Sequence, residues 1–161
     1  MKNVQWIIVV ILIITLTSFV SKDRPVTGLC VGDVAPDFNI QTTESKNLKA
    51  YRGSLVLVSF WASYDAQSRV ANAQLWQTNS HQKAPIQMVS VSFDSSRSVY
   101  QQTLRMDKVN CEESMLAIQG SSNPIYKKYQ LCRGFTNYLI DEKGVIVAKN
   151  LTPDELKEWM K

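Results

Sequence analysis

The stretch SLVLVSFWASYDAQSR, residues 54–69, constrains the chain more than any other. Residues 54–61 form a continuous apolar run rich in β-branched side chains. Such a run suits a strand buried on both faces of a parallel sheet. Polar residues then interrupt it, and Val70, Ala73 and Leu75–Trp76 recur at helical spacing, which predicts a helix over 65–80. A strand of this kind needs apolar cover above and below, so the rest of the chain must supply two covering layers.

The pattern downstream supplies them. IQMVSVSFD (86–94) predicts a second buried strand, and Val99, Leu104 and Met106 place a helix over 95–109. Residues 123–131 predict a short helix. TNYLID and GVIVAKN read as two strands joined through Asp141-Glu142-Lys143-Gly144, a compact hairpin turn ending on glycine. A short strand is expected at 37–41. The chain closes on a helix opened by Thr152, with Pro153 at its first position and Glu155 three residues after the cap, a capping box. The order β-α-β-α, hairpin, α implies a central sheet with helices on both faces. With 161 residues, 45% of them apolar, the chain is long enough for one domain with a real core.

The N-terminus has a different character. One lysine precedes an uncharged, mostly apolar stretch from Val4 to Val20. Its length meets the lower end of a membrane span, which needs roughly 17–25 residues. No good small-x-small cleavage site is present, so residues 1–21 read as an uncleaved anchor, with a cleaved signal as the alternative. The charges flanking the segment do not fix its orientation. A single N-terminal span most often exports the chain behind it, which places the domain outside the cytoplasm, in the cell envelope. Residues 22–33, polar with Pro25, Gly28 and Gly32, read as a linker, and residues 34–161 as the folded domain. Leu29 before Cys30, and the distance of Cys30 from Val20, argue against a lipid-anchored cysteine. The formal net charge of +4 is dispersed, without a basic run or basic–aromatic stripe, which argues against nucleic acid as a partner.

VGDVAPDFNI, the strand ending in FWAS, VSVSFD, YKKYQL and GFTNYLIDEKGVIVAKN together resemble the thioredoxin superfamily, in its membrane-tethered TlpA-like or AhpC/TSA-like branch. The likeness covers about residues 31–160 and implies a thioredoxin-like α/β fold: a central mixed sheet flanked by helices, here preceded by an N-terminal hydrophobic helix. The family's chemistry lies in Trp-Cys-x-x-Cys at the start of the first long helix, where the helix N-terminus lowers the first thiol's pKa. Aligned on Phe60-Trp61-Ala62, this chain has Asp65 at the first cysteine position and Ser68 at the second; Arg69 matches the basic residue that commonly comes next. The family's cis-proline position holds Phe135. A cis bond before a residue other than proline costs about 2.5–4 kcal/mol, so a trans bond and a reshaped loop are expected.

A carboxylate cannot exchange disulfides and a serine hydroxyl cannot resolve one. The resemblance therefore implies a degenerate site with no catalytic residue of the family type. Asp65 reads as a helix N-cap, and Ser68 as a first-turn hydroxyl. A Ser68 nucleophile would need a base, yet the only histidine, His81, lies about 20 Å along a continuous helix at 1.5 Å per residue. No spacing of His, Cys and acidic residues suggests a metal site, and no cofactor is implied.

Outside the cytoplasm, Cys111 and Cys132 have three readings: a structural disulfide, two separate thiols, or a relocated redox pair. Trp61, Tyr64 and Phe135 would gather on the surface that the family uses for partners, either as a binding surface or as filler in a plugged one. The leading functional expectation is a redox-inactive binding or accessory module with a protein or peptide partner in the envelope, held to the membrane by its N-terminal segment. The alternative is a thiol-disulfide oxidoreductase working through the displaced Cys111 and Cys132.

Overall fold

The computed structural model describes residues 26–41, 45–110 and 112–161. The N-terminal apolar segment and Cys111 lie outside the described residues. Among the described residues no helix is long and apolar enough to cross a membrane.

The elements run in chain order: β1 (Asn39–Gln41), β2 (Ser45–Asn47), β3 (Val56–Trp61), α1 (Ala66–Ser80), β4 (Gln87–Ser92), α2 (Arg97–Met106), β5 (Glu113–Leu116), α3 (Pro124–Lys128), β6 (Asn137–Ile140), β7 (Ile146–Lys149) and α4 (Pro153–Glu158). β1 and β2 form a small antiparallel ribbon. The main sheet has the order β5-β4-β3-β6-β7. β3 pairs in parallel with β4, and β4 with β5; β3 and β6, and β6 and β7, are antiparallel. The sheet is therefore mixed, with β3 at its centre and every residue of β3 buried.

Strand alternation divides the core into two layers. Val56, Val58 and Phe60 face one side with Val89, Val91, Tyr138 and Ile140, under Phe38, Tyr129 and Leu131. Leu57, Met88 and Leu139 face the other side, under Leu75 of α1 and Leu156 of α4. Polar side chains lock the layers to one register. Asn79 of α1 grips both main-chain groups of Ile86, accepting from its N at 2.8 Å and donating to its O at 2.7 Å. Asn137 does the same at Leu151, at 2.8 and 3.2 Å.

The expected strands and helices are present with shorter ends. The helix expected over 123–131 breaks after Lys128 into a 3-10 turn at Leu131–Arg133. The capping box forms as expected: Glu155 N donates to Thr152 Oγ1, and Thr152 N to Glu155 Oε2. Other features also differ from the sequence reading; one is β2, which was not expected. β5 was not expected, since Glu113–Leu116 has neither alternation nor an apolar run. The linker placed at 22–33 is docked from residue 26 onward. Gly32 N donates to Ile146 O and Ile146 N to Asp33 O, each at 2.8 Å, so this strap pairs with edge strand β7, and Leu29 packs on the core. The strap satisfies main-chain groups that the edge would otherwise leave unpaired.

Tyr129 ties the helical side of the core to the strap's continuation, its hydroxyl donating to Pro36 O at 2.6 Å. Burial, then Tyr138 and Asp37, push its phenol far above the ordinary tyrosine range. The folded pKa is the higher one, so ionisation favours the unfolded chain. That stability is complete below about pH 10 and falls as pH climbs through the tyrosine range. Tyr129→Phe is expected to cost about 1 kcal/mol at neutral pH, the worth of one hydrogen bond. It should also flatten the loss above about pH 10 in urea titrations, and an unchanged alkaline slope would refute the assignment.

Candidate functional site

The site grows from the junction of β3 and α1. β3 ends at Trp61, and Ala62–Tyr64 turns the chain before the helix begins. Asp65 is the N-cap in an extended conformation, its Oδ1 accepting from Ser68 N at 2.8 Å. Ser68 is 7% exposed. Its Oγ donates to the Asp65 carbonyl at 3.2 Å and accepts from Ala62 N at 3.4 Å. Both residues thus serve the local backbone. His81 caps the opposite end of α1, beside Gln77 O, out of reach of Ser68.

A buried acid holds the turn from below. Asp94, 2% exposed, accepts from Ser63 N at 2.9 Å and Ser63 Oγ at 2.6 Å through Oδ1, and from Ser92 Oγ at 2.8 Å through Oδ2. Sequence reasoning did not single out Asp94; an acid directly after a buried apolar strand was the available signal. Arg69 forms a two-pronged pair with Asp107, Nε and Nη2 lying 2.7 and 2.6 Å from its oxygens. This bond, more than any other contact, raises the Arg69 pKa, and it fastens the first turns of α1 to the end of α2.

Beside this junction lies the loop Arg133–Thr136. Gly134 has φ +122°, a conformation that an L side chain rarely adopts, and it redirects the chain into Phe135. No peptide bond among the described residues is cis, so the bond before Phe135 is trans, as expected. The Phe135 ring stacks on Phe93 at 5.8 Å and meets Tyr64 and Tyr126 edgewise, each at 6.2 Å. Tyr64 is 70% exposed at the rim. Its phenol is raised by partial burial first, then by Tyr126, Asp94 and Asp65.

Asp65, Ser68, Arg133, Phe135, Thr136 and Asn150 are among the residues lining one open groove of about 560 Å³. The sequence positions 65, 68 and 135, far apart in the chain, therefore meet on one surface, with Tyr64 beside them. Trp61 does not join them. It is 1% exposed, and its Nε1 donates to Ser90 Oγ at 2.8 Å, which in turn donates to Asn72 Oδ1 at 2.9 Å. The expectation of Trp61 in a binding surface is corrected: strand alternation turns it under α1, away from Phe60. Cys30 and Cys132 are exposed free thiols. The proposed pairing of Cys132 with Cys111 lies outside the described residues. No group of three or more potential metal ligands occurs among the described residues.

The mixed five-stranded sheet and the groove between helix start and loop define a thioredoxin-type protein whose motif helix opens on an acid. Comparisons with known proteins place it further. No family model matches the chain. It is 37% identical to a thioredoxin-like protein from Parabacteroides distasonis of known structure, with a TM-score of 0.72, over 85% of this chain and 98% of that one. The thioredoxin domain of a thiol-disulfide oxidoreductase from Bacteroides vulgatus is 25% identical, with a TM-score of 0.70, over 83% and 96% of the two chains. The thioredoxin-like protein YneN of Bacillus subtilis is 26% identical over 121 residues, 74% of this chain and 70% of that protein. The chain belongs to the thioredoxin superfamily.

Proposed function

We propose that this chain is a redox-silent binding module of the cell envelope, tethered through residues 1–21, which holds an extended segment of a partner protein in the groove between α1 and the Phe135 loop. The observation that carries the reading is the helix start. Asp65 and Ser68 occupy the two positions where the family's dithiol belongs, and their polar atoms bond to the backbone of the 62–68 turn. Neither side chain can form a mixed disulfide. The groove itself is kept. The N–H and C=O of Phe135 make no hydrogen bond among the described residues, and so can pair with a strand laid alongside.

The test is disulfide reduction by the full chain in mild detergent, with insulin as substrate, beside thiol counting by alkylation and mass across defined redox buffers. The expected result is no turnover at any pH and no reversible disulfide. Turnover that disappears when Cys30, Cys111 and Cys132 are all replaced by serine, together with a Cys111–Cys132 bond that cycles at a potential well above about −300 mV, would replace this reading with the displaced-thiol oxidoreductase.

A further inference from the structure

Tyr64, Asp65 and Asp94 carry an inference that deepens the binding reading and rests on it. Tyr64 is the most exposed aromatic side chain of the groove region, yet it is held in place edge-on against Phe135. Phe135 is braced in turn by Phe93 and Tyr126. One face of a fixed, solvent-facing ring is thus presented beside the groove. Two carboxylates lie close enough to influence its hydroxyl, Asp65 and Asp94. The charge of Asp94 acts on Arg69, and neither acid makes a direct ion pair among the described residues. Asp65 uses one oxygen for Ser68 N, and no cation among the described residues lies within ion-pair distance of either acid. Asp94 is satisfied only by the neutral donors of Ser63 and Ser92. The nearby Arg69 is committed to Asp107. Arg133, on the 133–136 loop, lines the groove and is exposed without an ion pair among the described residues.

We propose that the groove's occupant is an extended segment of a partner protein carrying a lysine or arginine, whose cation rests on the face of Tyr64 and against the free oxygen of Asp65. A ring face attracts a cation through its quadrupole, and an adjacent unpaired carboxylate adds a charge-assisted hydrogen bond. Asp65 and Arg133 both line the groove, and Tyr64 stands beside it against Phe135. An acidic side chain beside Tyr64 would meet the Asp65 carboxylate and is disfavoured.

The test uses three synthetic extended peptides that differ only at the central residue, which is lysine, norleucine or glutamate, flanked by valine and threonine. Binding to the full chain in mild detergent is measured by calorimetry, and its location by NMR signals of Tyr64, Phe135 and their neighbours. The lysine peptide should bind at least about tenfold tighter than the glutamate peptide at low salt, and the difference should shrink as ionic strength rises. Asp65→Asn keeps the N-cap, since asparagine caps as well as aspartate, and Tyr64→Leu removes the ring face together with its edgewise contact on Phe135. Each should reduce the lysine preference to less than about threefold, the scale of losing one cation contact. Equal or reversed affinities for the lysine and glutamate peptides would overturn the proposal. A lysine preference that survives both substitutions would overturn it too. If the norleucine peptide shifts the groove signals as strongly as the lysine peptide, the binding module stands and its cation preference falls. If no peptide shifts them, both fall.

Discussion

Replacing Asp65 and Ser68 together by cysteine, in a chain whose Cys30, Cys111 and Cys132 are serine, is expected to create a reversible disulfide and measurable insulin reduction. The frame for that chemistry is in place. The side chain at 65 already accepts the Ser68 N–H at the start of a 15-residue helix. A thiolate there would receive the same donor and the positive end of the helix dipole, which raises the fraction of thiolate at neutral pH. Ser68 is buried one turn on, with its Oγ 3.2 Å from the Asp65 carbonyl, so a thiol in its place sits beneath the first. The outer thiolate would attack a substrate disulfide and form a mixed disulfide, releasing one substrate thiolate. The inner thiol would then attack the mixed bond, release the second substrate thiol and leave the 65–68 disulfide to be reduced by the supplied reductant. Turnover should rise at least about tenfold above background in the double variant and stay at background in each single one, because a lone cysteine lacks either a nucleophile at the cap or a resolving partner. The lost N-cap should cost about 1 kcal/mol of stability. Mass mapping that finds no 65–68 bond under mild oxidant would show that the junction has lost the geometry as well as the thiols.

The second large effect is expected at Trp61. Its burial and its place at the head of the Trp61–Ser90–Asn72 chain make it a structural residue. Trp61→Ala should cost about 3–5 kcal/mol, the range for emptying a large aromatic site, with the loss of the Ser90 contact included. Trp61→Phe refills most of the volume but leaves Ser90 without its donor, and should cost about 1–3 kcal/mol. Urea denaturation of both variants checks the ranking. Trp61→Phe should leave peptide binding in the groove unchanged. A variant that keeps its stability but loses binding would return Trp61 to the partner surface.

The sequence and the structure divide this protein along a line set by distance in the chain. SLVLVSFW identified the central strand because its last six residues, Val56–Trp61, are all buried, and that signal is internal to the segment. Asp65 and the Thr152–Glu155 capping box were legible for the same reason: a cap acts within three residues of itself. The likeness that joined Asp65, Ser68 and Phe135 to one surface was carried by the ordered motifs. Other features hang on partners far along the chain. Ser63 meets Asp94 across 31 positions, Arg69 meets Asp107 across 38, and Trp61 meets Ser90 across 29. Each of these pairings exists only because β3 and β4 lie in one register and α2 returns beside α1. β5 is a strand because β4 offers it an edge, and the strap at 26–34 is ordered because β7 does. Hydrophobic periodicity determined which segments are buried and in what local form. Register, and the hydrogen bonds it permits between segments, decided which face of the sheet Trp61 occupies and whether Tyr64 stands free at the groove.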